Sequence, residues 1–340
     1  MHRPSIGGRA MRVGLDVGGS KTEGVAVAPD GSIVARVRRA TGWGPDAVVE
    51  TILGVVADLG AELGAEASGA APQIASVGIG IPGQIAPGSL WVEHAVNLGI
   101  ESLDVGDTVA STLGVQVYVD NDVRAAALGA AVLRGGSGSI GYLNLGTGIA
   151  AGIVTGFVTG SLAGSIAAAG SGRETVPAVW RGSRGAAGEV GHISVDPAGP
   201  MCRCGQRGCI EALAGGAALA ERWGRPGTHP VGDIFDAAES GDPLALTLRG
   251  ELARGVAAAV RILVLTTDVE TVVLGGGLTA LGARLHDDVR RELEAVAEAS
   301  VFLRSLALAD RVELLPPGSP AAALGAALSG APEEGVLIHG

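Results

Sequence analysis

Two stretches of this chain repeat one pattern, which is a short apolar strand, a glycine turn and a second strand. The first runs from Val13 to Val27 around a turn at 18–21, and the second runs from Ile140 to Val154 around a turn at 146–148. No helical pattern opens after the first turn, so the pattern predicts a β-hairpin rather than a strand that enters a helix. Elsewhere strand and helix patterns alternate, which favours α/β layers. A length of 340 residues makes two domains the expectation.

All three cysteines lie in one segment that also contains a histidine. His192, Cys202, Cys204 and Cys209 have the spacing His-x9-Cys-x-Cys-x4-Cys, and four N/S ligands of this kind suit a tetrahedral structural zinc site. Two alternatives are a disulfide and buried apolar packing. An odd cysteine count leaves one thiol over, Cys202 and Cys204 are too close for an easy bridge, and the Gly, Arg and Gln neighbours are unlike a core segment.

The same segment resembles the signature of the ROK family of sugar kinases and sugar-responsive repressors. The resemblance lies in Gly-Glu-x-Gly-His at 188–192, followed by Cys-x-Cys-Gly-x-x-Gly-Cys-x-Glu at 202–211. It covers about residues 12–330 and implies an α/β, two-domain fold of the actin, hexokinase and Hsp70 type (ribonuclease H-like) with an interdomain cleft. In such folds the paired hairpins hold nucleotide phosphates from two sides. We expect a small domain at 11–122 plus 316–340, a large domain at 123–315 and a flexible tail at 1–10.

Asp16 and the first turn resemble the family's Asp-x-Gly-Gly-Thr-Lys phosphate loop. Free backbone amides of the turn can face phosphate oxygens, Lys21 adds charge as the only lysine of the chain, and Asp16 can hold magnesium through water. The alternative is an ordinary glycine hairpin, and the presence of a second turn of the same kind favours the phosphate loop over it. The residues that the resemblance assigns to ATP and Mg²⁺ are Asp16, Gly18, Gly19, Ser20, Lys21, Thr22, Gly146, Thr147, Gly148, Gly216, Gly276 and Gly277.

Asp122 is the candidate general base, since the resemblance gives this role to the Asp of an Asn-Asp pair. A carboxylate there can accept the proton of a sugar hydroxyl as it attacks the γ-phosphate, whereas the alternative is a simple helix cap. The resemblance assigns the sugar to Gly83, Asn97, Asn121, Asp122, Glu189, His192 and Glu211. His192 would give one ring nitrogen to zinc and turn the other towards the sugar.

Two other nucleotide-binding motifs are absent from the chain or lack their expected context, and a few positions depart from the family pattern. The Gly-Lys pair of a Walker A loop never occurs, and Gly78-x-Gly80-x-x-Gly83 is followed by no helix opening, which argues against a dinucleotide site. Arg124 stands where the family often has Asn, and a Trp often found after Asn-Leu is missing. A Gly, Ser and Ala-rich segment at 157–184 is expected to be a mobile loop.

We therefore expect an ATP-dependent hexose kinase that phosphorylates the 6-hydroxyl, with glucose favoured. The alternatives are N-acetylglucosamine, N-acetylmannosamine or another amino sugar as acceptor, and a non-catalytic sugar-sensing protein of the same family. A repressor needs a helix-turn-helix, for which about a dozen residues before Val13 are too few. A net charge of −11 argues against nucleic acid, and no long apolar run or leader pattern is evident, so we expect a cytoplasmic protein without a membrane partner. The resemblance also implies a homodimer or homotetramer.

Overall fold

A computed structural model of the chain describes residues 10–66, 73–135, 138–155 and 178–329. Residues 1–9 of the predicted tail and 157–177 of the predicted mobile loop lie outside the described residues. Contacts divide the chain into two compact units, one formed by 1–137, 154–186 and 320–340, the other by 138–153 and 187–319. Within the described ranges, none of the helices is long and apolar enough to span a membrane.

The secondary structure follows the alternation that the sequence predicts. The strands are β1 (Met11–Val17), β2 (Lys21–Val27), β3 (Ile33–Ala40), β4 (Ile74–Ile81), β5 (Trp91–Ala95), β6 (Ile100–Asp104), β7 (Gln116–Asn121), β8 (Ile140–Leu145), β9 (Ile149–Thr155), β10 (Ala178–Val179), β11 (Thr271–Gly275) and β12 (Val312–Leu314). The helices are α1 (Pro45–Glu66), α2 (Val105–Leu113), α3 (Asp122–Arg134), α4 (Ile210–Ala214), α5 (Gly216–Trp223), α6 (Pro230–Glu239), α7 (Pro243–Thr267), α8 (Ala283–Glu298), α9 (Val301–Ser305) and α10 (Ala321–Leu328).

The first unit is built on a sheet with the strand order β3-β2-β1-β4-β7. β1, β2 and β3 form an antiparallel meander, while β4 and β7 run parallel to β1. The carboxyl ends of β1, β4 and β7 therefore meet at one edge of the sheet, which is where ligands bind in open parallel α/β sheets. Leu15 and Ile79 of the sheet and Ile52 and Leu59 of α1 are almost completely buried in its core.

Helices α3 and α10 of the first unit pack so closely that two glycines are required. A Cβ on Gly129 of α3 would lie 1.8 Å from the carbonyl oxygen of Ala321, and one on Gly325 of α10 would lie 1.7 Å from that of Ala125. These distances are well inside van der Waals contact, so no side chain fits at either point. The contact explains why α3 groups with the first unit, whereas the sequence prediction placed 123–315 in the large domain. The two-domain division itself stays a prediction.

In the second unit the strands follow the order β9-β8-β11-β12. β8, β11 and β12 are parallel. The last two residues of β9, Val154 and Thr155, pair with β10, and these paired residues are grouped with the first unit. Helix α7 buries an apolar face against this sheet, with Val256 and Val260 next to Leu143 and Leu274 in one core cluster. β8 and β11 are nearly continuous runs of apolar residues, as expected for strands that are covered on both faces.

Candidate active site and metal cluster

Three positions at the carboxyl edge of the first sheet lie in one row across it. Asp16 of β1 pairs with Gly80 of β4, and Gly80 pairs with Asp120 of β7. Asp122 lies two residues after Asp120, and a Cβ on Gly80 would lie 3.6 Å from the Cα of Asp122. The parallel register thus brings together Asp16 and Asp122, the predicted magnesium residue and the predicted general base.

Asp16 is electrostatically strained by this arrangement. Burial, and secondarily the negative charges of Asp122 and Glu23, raise the pKa of Asp16 to about 7, and Lys21 only partly opposes them. A carboxyl in this position favours a nearby cation, because added positive charge would restore its ordinary acidity. The donor chemistry, an oxygen ligand beside a second carboxylate, fits Mg²⁺.

The first glycine turn forms a tight hairpin beside this edge. The N–H of Gly18 donates to the carbonyl of Lys21 at 3.0 Å, and Lys21 itself is exposed. A Cβ on Gly19 would lie 2.9 Å from the carbonyl oxygen of Asn97, so the predicted phosphate turn contacts the predicted sugar-binding segment. The hydroxyl of Thr22 is buried and hydrogen-bonds that of Thr41 at 2.9 Å, so this predicted nucleotide residue already has an internal partner.

Asn121, rather than Asp122, caps helix α3. The side-chain oxygen of Asn121 accepts from the N–H groups of Val123 at 3.0 Å and Arg124 at 3.3 Å, and its amide nitrogen donates to the carbonyl of Gly83 at 3.3 Å. Capping satisfies helix N–H groups that have no intrahelical partner. Asp122 is the first helical residue, and its Oδ1 also accepts from the N–H of Val123 at 3.0 Å, so Asn121 is the N-cap and Asp122 shares one of its donors.

The sequence prediction gave no role to a charge network beside Asp122. The buried carboxylate of Asp120 accepts from Arg124 Nε at 2.6 Å and from Arg181 Nη2 at 2.8 Å. Arg124, also buried, further donates to the carbonyls of Gly185 at 2.6 Å and Ile85 at 3.3 Å. One guanidinium thereby holds three chain segments around the start of α3. The only sequence signal was the i, i+4 spacing of Asp120 and Arg124.

The second glycine turn is held by the start of α5. Gly146 N–H donates to the Gly148 carbonyl at 3.1 Å, and the N–H groups of Gly216 and Ala217 donate to the carbonyls of Gly146 and Thr147 at 2.9 Å and 3.0 Å. The predicted nucleotide residue Gly216 is therefore in direct contact with the predicted phosphate turn.

Gly276 and Gly277, both predicted to bind the nucleotide, directly follow β11. A Cβ on Gly276 would lie 2.6 Å from the carbonyl oxygen of Leu145 and 2.7 Å from the side-chain oxygen of Asn144, which places Gly276 beside the start of the second turn. Gly277 faces open space, with no atom within 4 Å of where its Cβ would be.

Glu211 contacts the second turn through its carboxylate. Its Oε2 accepts from the N–H of Ile149 at 2.9 Å, and a Cβ on Gly148 would lie 2.4 Å from the same oxygen. Glu211 stands in the first turn of α4, two residues after Cys209. The residue predicted to bind sugar thus also links the cysteine segment to the turn at 146–148.

The predicted Gly-Glu-x-Gly-His segment lies directly on β9. Cβ atoms on Gly188 and Gly191 would fall 1.9 Å and 2.0 Å from the carbonyl oxygens of Ala151 and Ile149, so only glycine permits this approach. The carbonyl of Gly188 also accepts from Ala151 N–H at 2.8 Å. Glu189, between them, is exposed and available to a ligand.

The four predicted metal ligands converge. The ligand atoms of His192, Cys202, Cys204 and Cys209 all lie within 4.8 Å of one another. Cys202 Sγ lies 3.8 Å from His192 Nδ1, and Cys204 Sγ lies 3.7 Å from Cys209 Sγ. A tetrahedral zinc ion with Zn–S bonds of about 2.3 Å requires ligand separations of about 3.8 Å. The donor set and its spacing therefore fit zinc.

The thiols of the cluster lie in unequal surroundings. Hydrogen bonds from the Gln206 backbone and side chain lower the pKa of Cys204 to about 6, and burial raises the pKa of Cys209 to about 12. The three cysteines are free thiols rather than a disulfide.

Two α/β units, each with a strand–glycine turn–strand hairpin, define an actin-like ATPase fold. A model of the ROK family matches residues 12–328. A glucokinase of Thermotoga maritima is 31% identical over 302 residues, which cover 83% of this chain and 86% of that protein. An N-acetylmannosamine kinase of Yersinia pseudotuberculosis is 26% identical over 267 residues, covering 78% and 82%. A ROK family glucokinase from Streptomyces griseus, solved with glucose and AMPPNP, has a TM-score of 0.69 at 27% identity and covers 94% of this chain and 99% of its own.

This chain belongs to the ROK family. The findings confirm the family and fold class predicted from the sequence, and also the predicted class of enzyme, an ATP-dependent sugar kinase.

Proposed function

We propose that this ATP-dependent sugar kinase transfers the γ-phosphate of ATP to the 6-hydroxyl of a hexose, with glucose as the favoured acceptor. The observation that carries the proposal is the position of Asp122, beside Asp16 and the first glycine turn at the carboxyl edge of a parallel sheet. Support for glucose comes from the glucokinase relative and from the glucose-bound structure of the Streptomyces griseus protein.

In this proposal Asp122 is the general base. A carboxylate within hydrogen-bond reach of the acceptor hydroxyl takes its proton as the oxygen attacks phosphorus, which contributes roughly 10²- to 10⁴-fold to the rate. Asn121 supports it in two ways. It fixes the start of α3, and its amide keeps one N–H beyond the bond to Gly83 that can meet a neighbouring sugar hydroxyl.

The two glycine turns would bind the phosphates of ATP. Their backbone N–H groups and the Lys21 ammonium provide donors and positive charge for phosphate oxygens. Asp16 would hold Mg²⁺, which neutralises charge on the phosphates when bound. The residues that adjoin the second turn, Gly216 and Gly276, would border the nucleoside.

We further propose that His192, Cys202, Cys204 and Cys209 hold one structural zinc ion. Bound zinc would fix the loop that carries His192 at one end and leads into α4 at the other. Both predicted sugar residues of this region, His192 and Glu211, would then be presented with little conformational freedom, and Glu189 would join them from the segment that lies on β9.

A second acceptor class has a specific observation in its favour. The N-acetylmannosamine kinase relative is 26% identical to this chain, so an amino sugar such as N-acetylmannosamine or N-acetylglucosamine is the runner-up acceptor. A non-catalytic sugar sensor is disfavoured, because both Asp122 and Lys21 are present and adjoin the same sheet edge.

A coupled assay of ADP release over a panel of hexoses and amino sugars tests the proposal, with ³¹P NMR to locate the phosphate on the product. We expect the highest kcat/KM with glucose and a 6-phosphate product. Asp122→Asn is the control, and its kcat should fall roughly 10²- to 10⁴-fold while glucose binding persists. Phosphorylation of an amino sugar alone would replace glucose by the runner-up, and near wild-type turnover in Asp122→Asn would refute the general-base role.

Location and assembly are also proposals. Three cysteines that are free to bind metal fit a reducing compartment, and we therefore propose a cytoplasmic protein. We propose a homodimer or homotetramer, which light scattering coupled to size-exclusion chromatography would detect as two or four chain masses.

A further inference from the structure

Trp43 is the most exposed of the tryptophan side chains that the described residues present to solvent. It exposes 71% of its surface, against 50% for Trp91 in the same unit. A single exposed apolar side chain is ordinary on a protein surface, so the position and the anchoring of this indole, rather than its exposure alone, carry the argument below.

The loop that carries Trp43 is firmly anchored. Gly44 N–H donates to the carbonyl of Leu98 at 2.8 Å, and Gly42 N–H donates to the hydroxyl of Thr51 at 3.1 Å. On the other side, Thr41 N–H donates to the carbonyl of Ser20 in the first glycine turn at 3.1 Å. The exposure of the indole is therefore not the result of a loose loop.

The indole also packs against the segment that carries Asn97. A Cβ on Gly99 would lie 2.6 Å from Cε2 of Trp43, so the ring rests against a residue that has no side chain. Asn97, two residues earlier, contacts Gly19 of the first turn. The ring, the predicted sugar-binding amide and the predicted phosphate turn thus belong to one contiguous cluster within the first unit.

We propose that the exposed face of Trp43 is the surface on which the acceptor sugar ring stacks. A pyranose presents C–H groups on one face and hydroxyls at its rim, and a flat aromatic ring covers the former while amides and carboxylates bind the latter. Trp is suited to this because it offers a large rigid apolar area with only two rotatable side-chain bonds. The inference rests on the proposed function, since it names a residue that would set the affinity of that same site for its sugar.

Titration calorimetry and kinetics of two substitutions test the proposal. Trp43→Ala should raise the Kd and KM for glucose about tenfold, which corresponds to about 1.4 kcal/mol, and leave the KM for ATP unchanged. Trp43→Phe should restore most of the affinity, because phenylalanine keeps a flat ring. Trp91→Phe, a matched change at another exposed indole, should bind glucose as the wild type does.

Fluorescence provides a second readout that does not require turnover. Glucose, or N-acetylmannosamine if that is the sugar that binds, should change the tryptophan emission of the wild type and of Trp91→Phe but not that of Trp43→Phe. Wild-type sugar affinity in Trp43→Ala, or an equal loss for ATP, would overturn the proposal. A Trp43-dependent emission change in a protein that phosphorylates no sugar would refute the proposed function and support the stacking surface.

Discussion

The close contact between α3 and α10 predicts that alanine at Gly129 of α3 lowers the stability of the protein, whereas alanine at Gly60, a helical glycine outside the contact, raises it. Gly129→Ala would put a methyl group 1.8 Å from the carbonyl oxygen of Ala321, and the atom that must move belongs to the backbone of α10. Overpacking of this kind costs about 1–3 kcal/mol, and a rigid backbone neighbour places the change towards the upper end. The better helix propensity of alanine offsets about 1 kcal/mol of this cost, so we expect the free energy of unfolding to fall by about 2 kcal/mol.

Gly60→Ala is the matched control, since Gly60 lies in α1 of the same unit, is exposed, and has no atom within 4 Å of its Cβ position. This substitution should stabilise the protein by about 0.5–1 kcal/mol. Thermal melts should show Gly129→Ala below the wild type by roughly 4–8 °C and Gly60→Ala above it by about 1–4 °C. Because α3 begins at Asp122, Gly129→Ala should also lower kcat. A Gly129→Ala protein that melts at or above the wild-type temperature would show that the helix contact is not as tight as described.

Three further predictions concern the site. Because the folded-state pKa of Asp16 lies near 7, well above the ordinary carboxyl value of 3.8, protonated Asp16 favours folding in acid and this contribution disappears as the pH rises from about 4 through about 7. Asp16→Asn should therefore melt higher than the metal-free wild type at pH 8, melt equally at pH 4, and be inactive; equal melting at both pH values would refute the raised pKa. Metal analysis of the wild type should find about one equivalent of zinc per chain, and Cys204→Ser should lose it and bind sugar more weakly, whereas unchanged kinetics in a metal-free protein would contradict the structural role. Glu211→Ala should raise the KM values for both ATP and sugar, by roughly 10-fold or more for ATP because Ile149 N–H loses a charged acceptor; Glu211→Gln should restore the KM for ATP but not for sugar, and a Gln variant as impaired for ATP as the Ala variant would argue against the link to the second turn.

Local patterns were sufficient for much of the fold. The apolar runs at 74–81 and 321–328, each with Gly or Pro signals at its ends, predict a strand and a closing helix, and β4 and α10 have these same bounds. The prediction of secondary structure was wrong where a glycine permits a helix to break and where a strand carries many polar residues. The sequence pattern predicts helical structure around 212–223 and a helix at about 280–299, whereas the structure has α4 and α5 divided at Gly215 and a 3₁₀ turn at 277–281 before α8. The strands β3, β5 and β6, which carry several exposed residues, have no clear apolar period that would predict them.

The sequence by itself was sufficient to predict the family and to single out four candidate metal ligands, the two glycine turns and the Asn-Asp pair, because these depend on residue type at short, fixed spacing. Only the tertiary structure showed that Arg124 and Arg181 hold Asp120, that Glu211 reaches Ile149, and that Trp43 rests on Gly99. Each of those contacts joins residues from separate segments. Which distant segments meet is decided by sheet register and by how closely helices can pack, and neither property is written in the local order of residues.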